Sequence, residues 1–265
     1  MDWIEAIILA LIQGLTEFLP VSSQAHLVLY SVFTGREYQG LDFDIILHAG
    51  SLMAVVFYFR NELITMTRDW LASLRGAQAS GDSRLAWWII IGTIPAGFFG
   101  LLLKDYAEEA LRSPLIMGSA LIGFGILLGL ADWRGRGRRD EYSLGLKDVL
   151  VIGFAQILAL IPGTSRSGIT ITAGLFLGMS REAAARFSFL LSIPIIAAAG
   201  VLGTRDLLAE GVTADWPVLL IGLVVSAIST YACIHYFLAF IRRIGMQPFV
   251  AYRIILGVVL LAFFL

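Results

Sequence analysis

Two polar interruptions divide this hydrophobic chain: Gln13-Gly14-Leu15-Thr16-Glu17-Phe18-Leu19-Pro20-Val21-Ser22-Ser23-Gln24-Ala25-His26 and Leu160-Ile161-Pro162-Gly163-Thr164-Ser165-Arg166-Ser167-Gly168. The Leu-Pro-Val-Ser-Ser that starts at Leu19 resembles the Ile-Pro-Gly-Thr-Ser that starts at Ile161, 142 positions later. Each interruption lies between apolar runs, where a charged side chain costs roughly 2.5–3.5 kcal/mol even on a lenient insertion scale. Both segments are therefore candidate parts of a functional site.

The composition predicts a polytopic membrane protein. Of 265 residues, 58% are hydrophobic and 15% are charged, whereas about 25% of the residues in a soluble domain are charged. The net charge of −1 gives no electrostatic footprint for nucleic acid. The single cysteine, Cys233, excludes a disulfide framework and a thiolate metal cluster.

Six apolar runs are long enough to predict transmembrane helices, at about residues 43–60, 85–103, 114–131, 186–203, 217–239 and 249–265. Two further apolar regions, about 3–33 and 148–178, are broken by the polar interruptions. Each arm of these regions has only about 12–16 residues, which favours a re-entrant helical hairpin over a pair of full spans. The predicted fold is all-α, with about six transmembrane helices and two re-entrant hairpins.

The order of these elements predicts an inverted-topology repeat within one domain, residues 1–265. Its halves are approximately residues 1–131 and 148–265, joined by a basic cytoplasmic loop at 132–147. Each half is one broken hairpin followed by three spans, and three spans end on the opposite side. The second half is then upside down relative to the first, and the two breaks meet near the middle of the membrane.

Basic residues predict the orientation of the chain. The loops at 60–84, 132–147, 179–186 and 240–248 share one side in this topology and hold thirteen Arg and Lys residues, against four on the other side. The positive-inside rule assigns the basic side to the cytoplasm. The first hairpin then opens outward, and the second enters from the cytoplasmic side.

The first interruption offers residues for acid–base, nucleophilic or cation chemistry. Gln13 and Glu17 are four apart and share a helical face, and Ser22 or Ser23 can cap the helix that follows. Ser23 and His26 then project together. Glu17 is a candidate cation ligand or base, and His26 a candidate proton carrier or nucleophile. The structural alternative is a capped kink whose polar plug seals a helix bundle.

The second interruption favours phosphate. Thr164, Ser165 and Ser167 supply hydroxyls beside Arg166 at a helix start, and Arg binds phosphate through two parallel hydrogen bonds. The alternative is an Arg166 that pairs with Glu17 to stabilise the fold, and the two interpretations are compatible.

Weaker polar outliers lie within the spans. Asp44 and His48 are four apart and together could line the outward mouth, although each alone is typical of an interfacial residue. Arg253 lies inside the last run, and the sequence leaves open whether it reaches the interface or a phosphate.

These motifs resemble the bacterial undecaprenyl-diphosphate phosphatases of the bacitracin-resistance type. That family has Glu/Gln-x-x-x-Glu, then Leu-Pro-Val-Ser-Ser, and later Pro-Gly-x-Ser-Arg-Ser-x-x-Thr. Here the motifs are Gln13 to Glu17, Leu19 to Ser23, and Pro162 to Thr170, and the resemblance covers essentially the whole chain. The chain departs at Gln13, which cannot bind a metal as a carboxylate does, and at Gln24-Ala25, where a small Thr/Ser-Gly pair is common.

The resemblance implies an enzyme that hydrolyses undecaprenyl diphosphate to undecaprenyl phosphate and inorganic phosphate. It recycles the lipid carrier for peptidoglycan synthesis and confers resistance to bacitracin, which competes by sequestering the substrate. A divalent cation, Mg²⁺ or Ca²⁺, is expected on Glu17. The implied location is the bacterial cytoplasmic (inner) membrane, with the site open to the periplasmic side, and a homodimer is left open.

Site roles follow from the residues and the resemblance together. The expected catalytic residues are Glu17, Ser23, His26 and Arg166. The expected substrate-binding residues are Gln13, Ser22, Thr164, Ser165, Ser167, Thr170 and Arg253. Ser23 is favoured as nucleophile with His26 as its base, while direct attack by His26 or by water stays open. The rival function is an inverted-repeat transporter or lipid flippase.

Overall fold

The computed structural model describes residues 2–36, 39–103, 113–134, 137–210 and 215–264. Across these ranges the chain is helical, which confirms the predicted all-α class. The described part contains eleven α-helices: α1 (Trp3–Thr16), α2 (Ser23–Thr34), α3 (Leu41–Tyr58), α4 (Arg60–Leu74), α5 (Gly81–Leu102), α6 (Pro114–Arg134), α7 (Leu146–Ile157), α8 (Arg166–Phe176), α9 (Arg181–Glu210), α10 (Trp216–Ile244) and α11 (Gln247–Phe264).

The long helices have the length and surface of membrane spans. Within the described ranges five helices, α5, α6, α9, α10 and α11, are long and apolar enough to cross a membrane, and α3 with α4 forms a bent sixth candidate. One face of α5 presents Ile94, Phe98 and Leu101, each about 60% exposed. A continuous apolar exterior of this kind suits lipid rather than water. The protein is a polytopic membrane protein.

The segment 60–84, predicted as a loop, instead contains helix α4. This helix bends by 77° away from α3 at Phe59. Its charged residues suggested a loop, but its apolar side packs on α5 and buries Met66. The chain then turns at Ser80, which caps α5. The Ser80 hydroxyl donates to Asp69 at 2.6 Å and accepts from the N–H of Ser83, in the first turn of α5.

Both broken regions are helix pairs interrupted at the predicted places. Helices α1 and α2 have 14 and 12 residues and are separated by the segment that contains Pro20. Helices α7 and α8 have 12 and 11 residues and are separated by the segment that contains Pro162. Each helix is shorter than the roughly 20 residues that a span needs. Re-entry of these hairpins into a membrane stays a prediction.

Several contacts between helices in one half have a counterpart in the other half. Helix α3 packs on α10, and its counterpart α9 packs on α5. Helix α1 packs on α10, and its counterpart α7 packs on α5. The last helices of the two halves, α6 and α11, pack on each other where Gly118 and Gly257 meet, and a methyl group on Gly257 would lie 2.8 Å from the Gly118 carbonyl oxygen. These three correspondences are the ones that a two-fold repeat would produce, and the inverted repeat of the two halves stays a prediction.

The four basic segments predicted to share one side contact one another. Their ion pairs are Asp132–Arg181, Glu62–Arg186, Glu141–Arg186 and Glu182–Arg242. These contacts place the segments together at one end of the molecule. The assignment of that end to the cytoplasm rests on the charge bias and stays a prediction.

Candidate active site

Each helix break ends in a serine with a left-handed backbone. Ser22 has φ 71° and Ser165 has φ 69°, and they are the only non-glycine residues with positive φ in the described ranges. Such a conformation costs on the order of 1–3 kcal/mol and is characteristic of functional sites. The next residues, Ser23 and Arg166, begin α2 and α8. The strained backbone thus directly precedes one candidate site residue in each half, Ser23 in the first and Arg166 in the second.

The structural correspondence differs by one residue from the sequence correspondence. The motifs aligned Ser23 with Ser165, 142 positions apart, but the strained serines Ser22 and Ser165 are 143 positions apart. The second break therefore holds one more residue between its proline and its helix start, in a segment where Gly163 has φ 89°. As a result, Arg166 occupies the position of Ser23 in the other half.

The Glu17 carboxylate joins both breaks. Its Oε1 accepts from Arg166 Nη2 at 3.1 Å. Its Oε2 accepts from Ser23 Oγ at 2.7 Å and from Gln13 Nε2 at 3.0 Å. Glu17 is only 9% exposed. Three other predicted site residues therefore meet at this one buried carboxylate, and the predicted ion pair between Arg166 and Glu17 is present.

Arg166 is held on two sides and still has donors to offer. Its Nη1 donates to the Ser188 carbonyl oxygen at 3.3 Å, and its Cζ lies 5.4 Å from the centre of the Phe18 ring. A guanidinium has five N–H groups. Among the described residues only two of them find acceptors, on Glu17 and Ser188. The remaining three can bind an anion that enters the site.

The hydroxyls around Arg166 mostly contact the protein itself. Ser165 caps α8 by accepting from the Gly168 N–H at 3.1 Å. Ser167 donates to the Leu19 carbonyl oxygen at 2.9 Å, across the two breaks. The Thr170 hydroxyl lies 2.7 Å from the Ser188 hydroxyl. These contacts give Ser167 and Thr170 a scaffolding role, and their predicted contact with substrate stays untested.

Two predicted substrate-binding residues differ in their surroundings. Thr164 is fully buried, and its hydroxyl has no hydrogen-bond partner among the described residues. Ser22 is buried, and its side chain does not cap α2, although its carbonyl oxygen anchors His26. Thr164 is thus the hydroxyl of the second break with unused hydrogen-bonding capacity.

His26 does not contact Ser23 as a base would. Its Nδ1 lies 2.7 Å from the Ser22 carbonyl oxygen, and its Nε2 lies 2.6 Å from the Tyr252 hydroxyl. The rings of His26 and Tyr252 stack with centres 5.5 Å apart. The Ser23 hydroxyl donates to Glu17 instead. The sequence assigned no role to Tyr252, which directly precedes Arg253.

Arg253 is a buried link between the two breaks. Its Nη1 donates to the Pro20 carbonyl oxygen at 3.0 Å, and its Nη2 donates to the carbonyl oxygens of Gly163 and Thr164 at 3.0 and 2.9 Å. Its Nε donates to the Leu121 carbonyl oxygen at 3.2 Å. Its exposed fraction is zero, so it does not reach the interface. This geometry favours a positioning role over the predicted phosphate contact.

His48 lies beside Glu17, although the sequence did not predict it among the catalytic or substrate-binding residues. The sequence left open whether His48 lines the outward mouth or is an interfacial residue. In the structure its Nε2 lies 3.7 Å from Glu17 Oε2. It comes from α3, a helix that follows the first hairpin and packs on α1. A histidine within an apolar run was the available signal.

The donor atoms near Glu17 fit a cation that the substrate helps to bind. The described residues contain no group of three or more His, Cys, Asp or Glu side chains that could hold a metal alone. Mg²⁺ commonly binds through one or two carboxylates together with substrate phosphates. Glu17 supplies the carboxylate, and the buried Gln13 Oε1 has no hydrogen-bond partner among the described residues. Both oxygens suit a hard divalent cation.

Comparison with known proteins identifies the family of this chain. The model of the family described as bacitracin resistance protein BacA matches residues 6–259. A Stutzerimonas stutzeri protein named undecaprenyl-diphosphatase 2 is 59% identical, over 100% of this chain and 99% of its own length. Proteins named undecaprenyl-diphosphatase from Nitrosococcus oceani and Hahella chejuensis are 56% and 54% identical, over 100% and 98% of both chains. The chain belongs to the bacitracin resistance protein BacA family.

Proposed function

We propose that this protein hydrolyses undecaprenyl diphosphate to undecaprenyl phosphate and inorganic phosphate. The observation that carries the proposal is the meeting of Arg166, Glu17 and Ser23, which come from two separate helix breaks. An obligate cation, a carboxylate and a hydroxyl are the groups that phosphoryl transfer needs for charge neutralisation and attack. Relatives that share more than half of their residues with this chain are named for this activity.

Arg166 binds the diphosphate in the proposed mechanism. The three N–H groups that no described residue uses are available to an entering anion, and the Ser188 carbonyl and the Phe18 ring hold the guanidinium in place. When a phosphate binds Arg166, it displaces the Glu17 ion pair in part and frees carboxylate lone pairs. The ion pair therefore represents the resting form of the site.

Ser23 is the proposed nucleophile. Its hydroxyl already donates to Glu17 at 2.7 Å, so Glu17 rather than His26 is placed to take its proton. The Ser23 oxygen bonds to the terminal phosphorus, the bond from that phosphorus to the bridging oxygen breaks, and undecaprenyl phosphate leaves. Water then cleaves the phosphoserine and releases inorganic phosphate.

His26 has a different proposed task. Its Nδ1 is engaged by the Ser22 carbonyl, so the proton on that atom fixes the tautomer. Its Nε2 and the Tyr252 hydroxyl form a chain that reaches the part-exposed edge of the site. We assign to this pair proton exchange with the leaving group or with the hydrolytic water.

A divalent cation completes the proposed chemistry. Glu17, together with the Gln13 amide oxygen, would hold it, and when bound it would neutralise charge on the diphosphate. Without it, Arg166 alone faces the several negative charges of the substrate.

The proposed setting is the bacterial cytoplasmic membrane, with the site open to the periplasmic side. Support comes from the charge bias of the loops and from the four basic segments that meet at one end of the molecule. On that side the enzyme withdraws the diphosphate that bacitracin sequesters and returns the monophosphate carrier to envelope synthesis.

The test is phosphate release from a C55 diphosphate by the purified protein, with and without EDTA. We expect turnover that EDTA abolishes and that added Mg²⁺ restores. Glu17→Gln should reduce turnover by about 10³-fold, since it removes both the proton acceptor and the anionic ligand. Lipid transport in vesicles without phosphate release would contradict the proposal and favour the flippase.

A further inference from the structure

His48 faces Glu17 with its Nε2, the ring nitrogen that carries no proton when the ring is neutral and Nδ1 is the donor. Its Nδ1 lies 2.8 Å from the backbone carbonyl oxygen of Asp44. A carbonyl oxygen can only accept, so Nδ1 is the donor, and in the neutral ring Nε2 is left as an acceptor. This Nε2 lies 3.7 Å from Glu17 Oε2, which is also an acceptor. Two such atoms repel each other unless a positive charge lies between them.

The Gln13 amide adds a third atom to this arrangement. Its Nε2 donates to the same Oε2 at 3.0 Å, and its buried Oε1 has no partner among the described residues. A half-turn of the amide exchanges the two atoms and brings the oxygen to the same distance from Glu17. Neighbouring ligands in an octahedral site with bonds of 2.0–2.1 Å are about 2.9 Å apart. The amide and the carboxylate are therefore spaced as two ligands of one ion.

We propose that Glu17, Gln13 and His48 bind one divalent transition-metal ion, with His48 Nε2 in the place of a second carboxylate. The proposal rests on the cation requirement of the proposed function and names the ligands of that cation in this chain. Glu17 Oε1 is occupied by Arg166, so the ion lies on the Oε2 side, beside the hydroxyl of Ser23.

The surroundings of His48 are those of a metal ligand. A ligating histidine almost always donates its second ring nitrogen to a carbonyl or carboxylate, which fixes the tautomer and the ring orientation. The Asp44 carbonyl does this for His48. An imidazole ligand raises the affinity for first-row transition metals relative to Mg²⁺ and Ca²⁺. We therefore expect this protein to bind Mn²⁺ or Co²⁺ more tightly than Ca²⁺.

The experiment is electron paramagnetic resonance of Mn²⁺ bound to the purified full-length protein, without substrate. Spin-echo modulation detects a nitrogen bound to the ion, and protein labelled with ¹⁵N-histidine identifies that nitrogen as histidine without any substitution. We expect one bound Mn²⁺ with histidine modulation in the unsubstituted protein. His48→Gln should remove the modulation and weaken Mn²⁺ affinity about tenfold or more.

The chain offers a matched control and a rescue. His235 is an exposed histidine on α10 whose ring meets that of Tyr236 edge to face, so His235→Gln should change neither affinity nor modulation. Gln13→Glu in the His48→Gln background should restore affinity without the modulation, because it supplies the second carboxylate.

Three results would overturn the proposal: no bound Mn²⁺ in the unsubstituted protein, bound Mn²⁺ without histidine modulation, or modulation that survives His48→Gln. A His48 that is protonated and paired with Glu17 would give the first result. Phosphate release, measured on the same preparation, separates this inference from the proposed function. If the protein releases phosphate but no histidine nitrogen binds the ion, only the inference about His48 is wrong. If a histidine nitrogen binds the ion but no phosphate is released, the proposed hydrolysis is wrong.

Discussion

The two helix breaks share a backbone and differ in what their side chains do. Both end in a serine with φ near 70° and start a helix at the next residue. In the first break, the Ser23 hydroxyl donates to Glu17, and Glu17 also accepts from Arg166 of the second break. In the second, Ser165 and Ser167 are bonded mainly to backbone. The first break supplies the reacting groups, and the second supplies the guanidinium of Arg166 at the start of the buried helix α8.

Burial follows the same division. Helix α8 buries nine consecutive residues, from Ser167 to Leu175, whereas α2 buries only Ala25, Leu27 and Leu29 of its twelve. A helix that is buried all round fixes its first residue firmly, which suits Arg166. A half-exposed helix leaves Ser23 and His26 open to substrate and water. One repeated backbone thus serves two different tasks.

The largest expected effect comes from removing the reactive residue of either break. Ser23→Ala should lower turnover about 10⁴-fold, because the covalent route loses its nucleophile. Arg166→Lys should lower turnover about 10²- to 10³-fold and raise KM, because an ammonium cannot bind phosphate through two parallel hydrogen bonds. Steady-state phosphate release at saturating and limiting C55 diphosphate separates kcat from KM for both variants.

Labelling provides the control for this pair. Phosphate transferred from labelled substrate should be trapped on Ser23 in the Arg166→Lys variant and on no residue in the Ser23→Ala variant. A phosphohistidine at His26 would instead identify His26 as the nucleophile, within the same break as Ser23. Equal turnover in Ser23→Ala and the unsubstituted protein would remove the covalent mechanism.

Much of this arrangement could be predicted from sequence, because membrane insertion makes polar residues conspicuous. The interruptions, the all-α class and the joining of Glu17 to Arg166 follow from hydropathy and charge. The grouping of the four basic segments follows from counting spans, since each span changes sides. These features depend on patterns along the chain, which the sequence contains directly.

The rest depends on contacts between distant residues. Ser23 bonds to Glu17 instead of His26, next to a positive φ at Ser22, and no composition signal indicates either feature. His48 and Tyr252 reach the site from α3 and α11 because of helix packing. Helix α4 was missed because its charges resemble a loop when its packing on α5 is unknown.

Arg253 holds the two breaks together, and its removal should have the second largest effect. Arg253→Met would leave the carbonyl oxygens of Pro20, Gly163 and Thr164 without their donor in a buried site. We expect a loss of about 3 kcal/mol in the free energy of unfolding. Denaturation in mixed micelles measures it. Arg243→Met, at an exposed position on α10, should change it by less than about 0.5 kcal/mol.

The smallest effect should distinguish the two strained serines. Glycine adopts positive φ without strain, so Ser22→Gly, whose side chain makes no cap, should raise the free energy of unfolding by about 1 kcal/mol. Ser165→Gly relieves the same strain but deprives the buried Gly168 N–H of its acceptor, which costs about 1–3 kcal/mol. The second variant should therefore be no more stable than the unsubstituted protein. Thermal unfolding of both variants in one detergent measures the difference. Equal stabilisation by both glycines would mean that the Ser165 cap contributes nothing and that the two breaks are energetically alike.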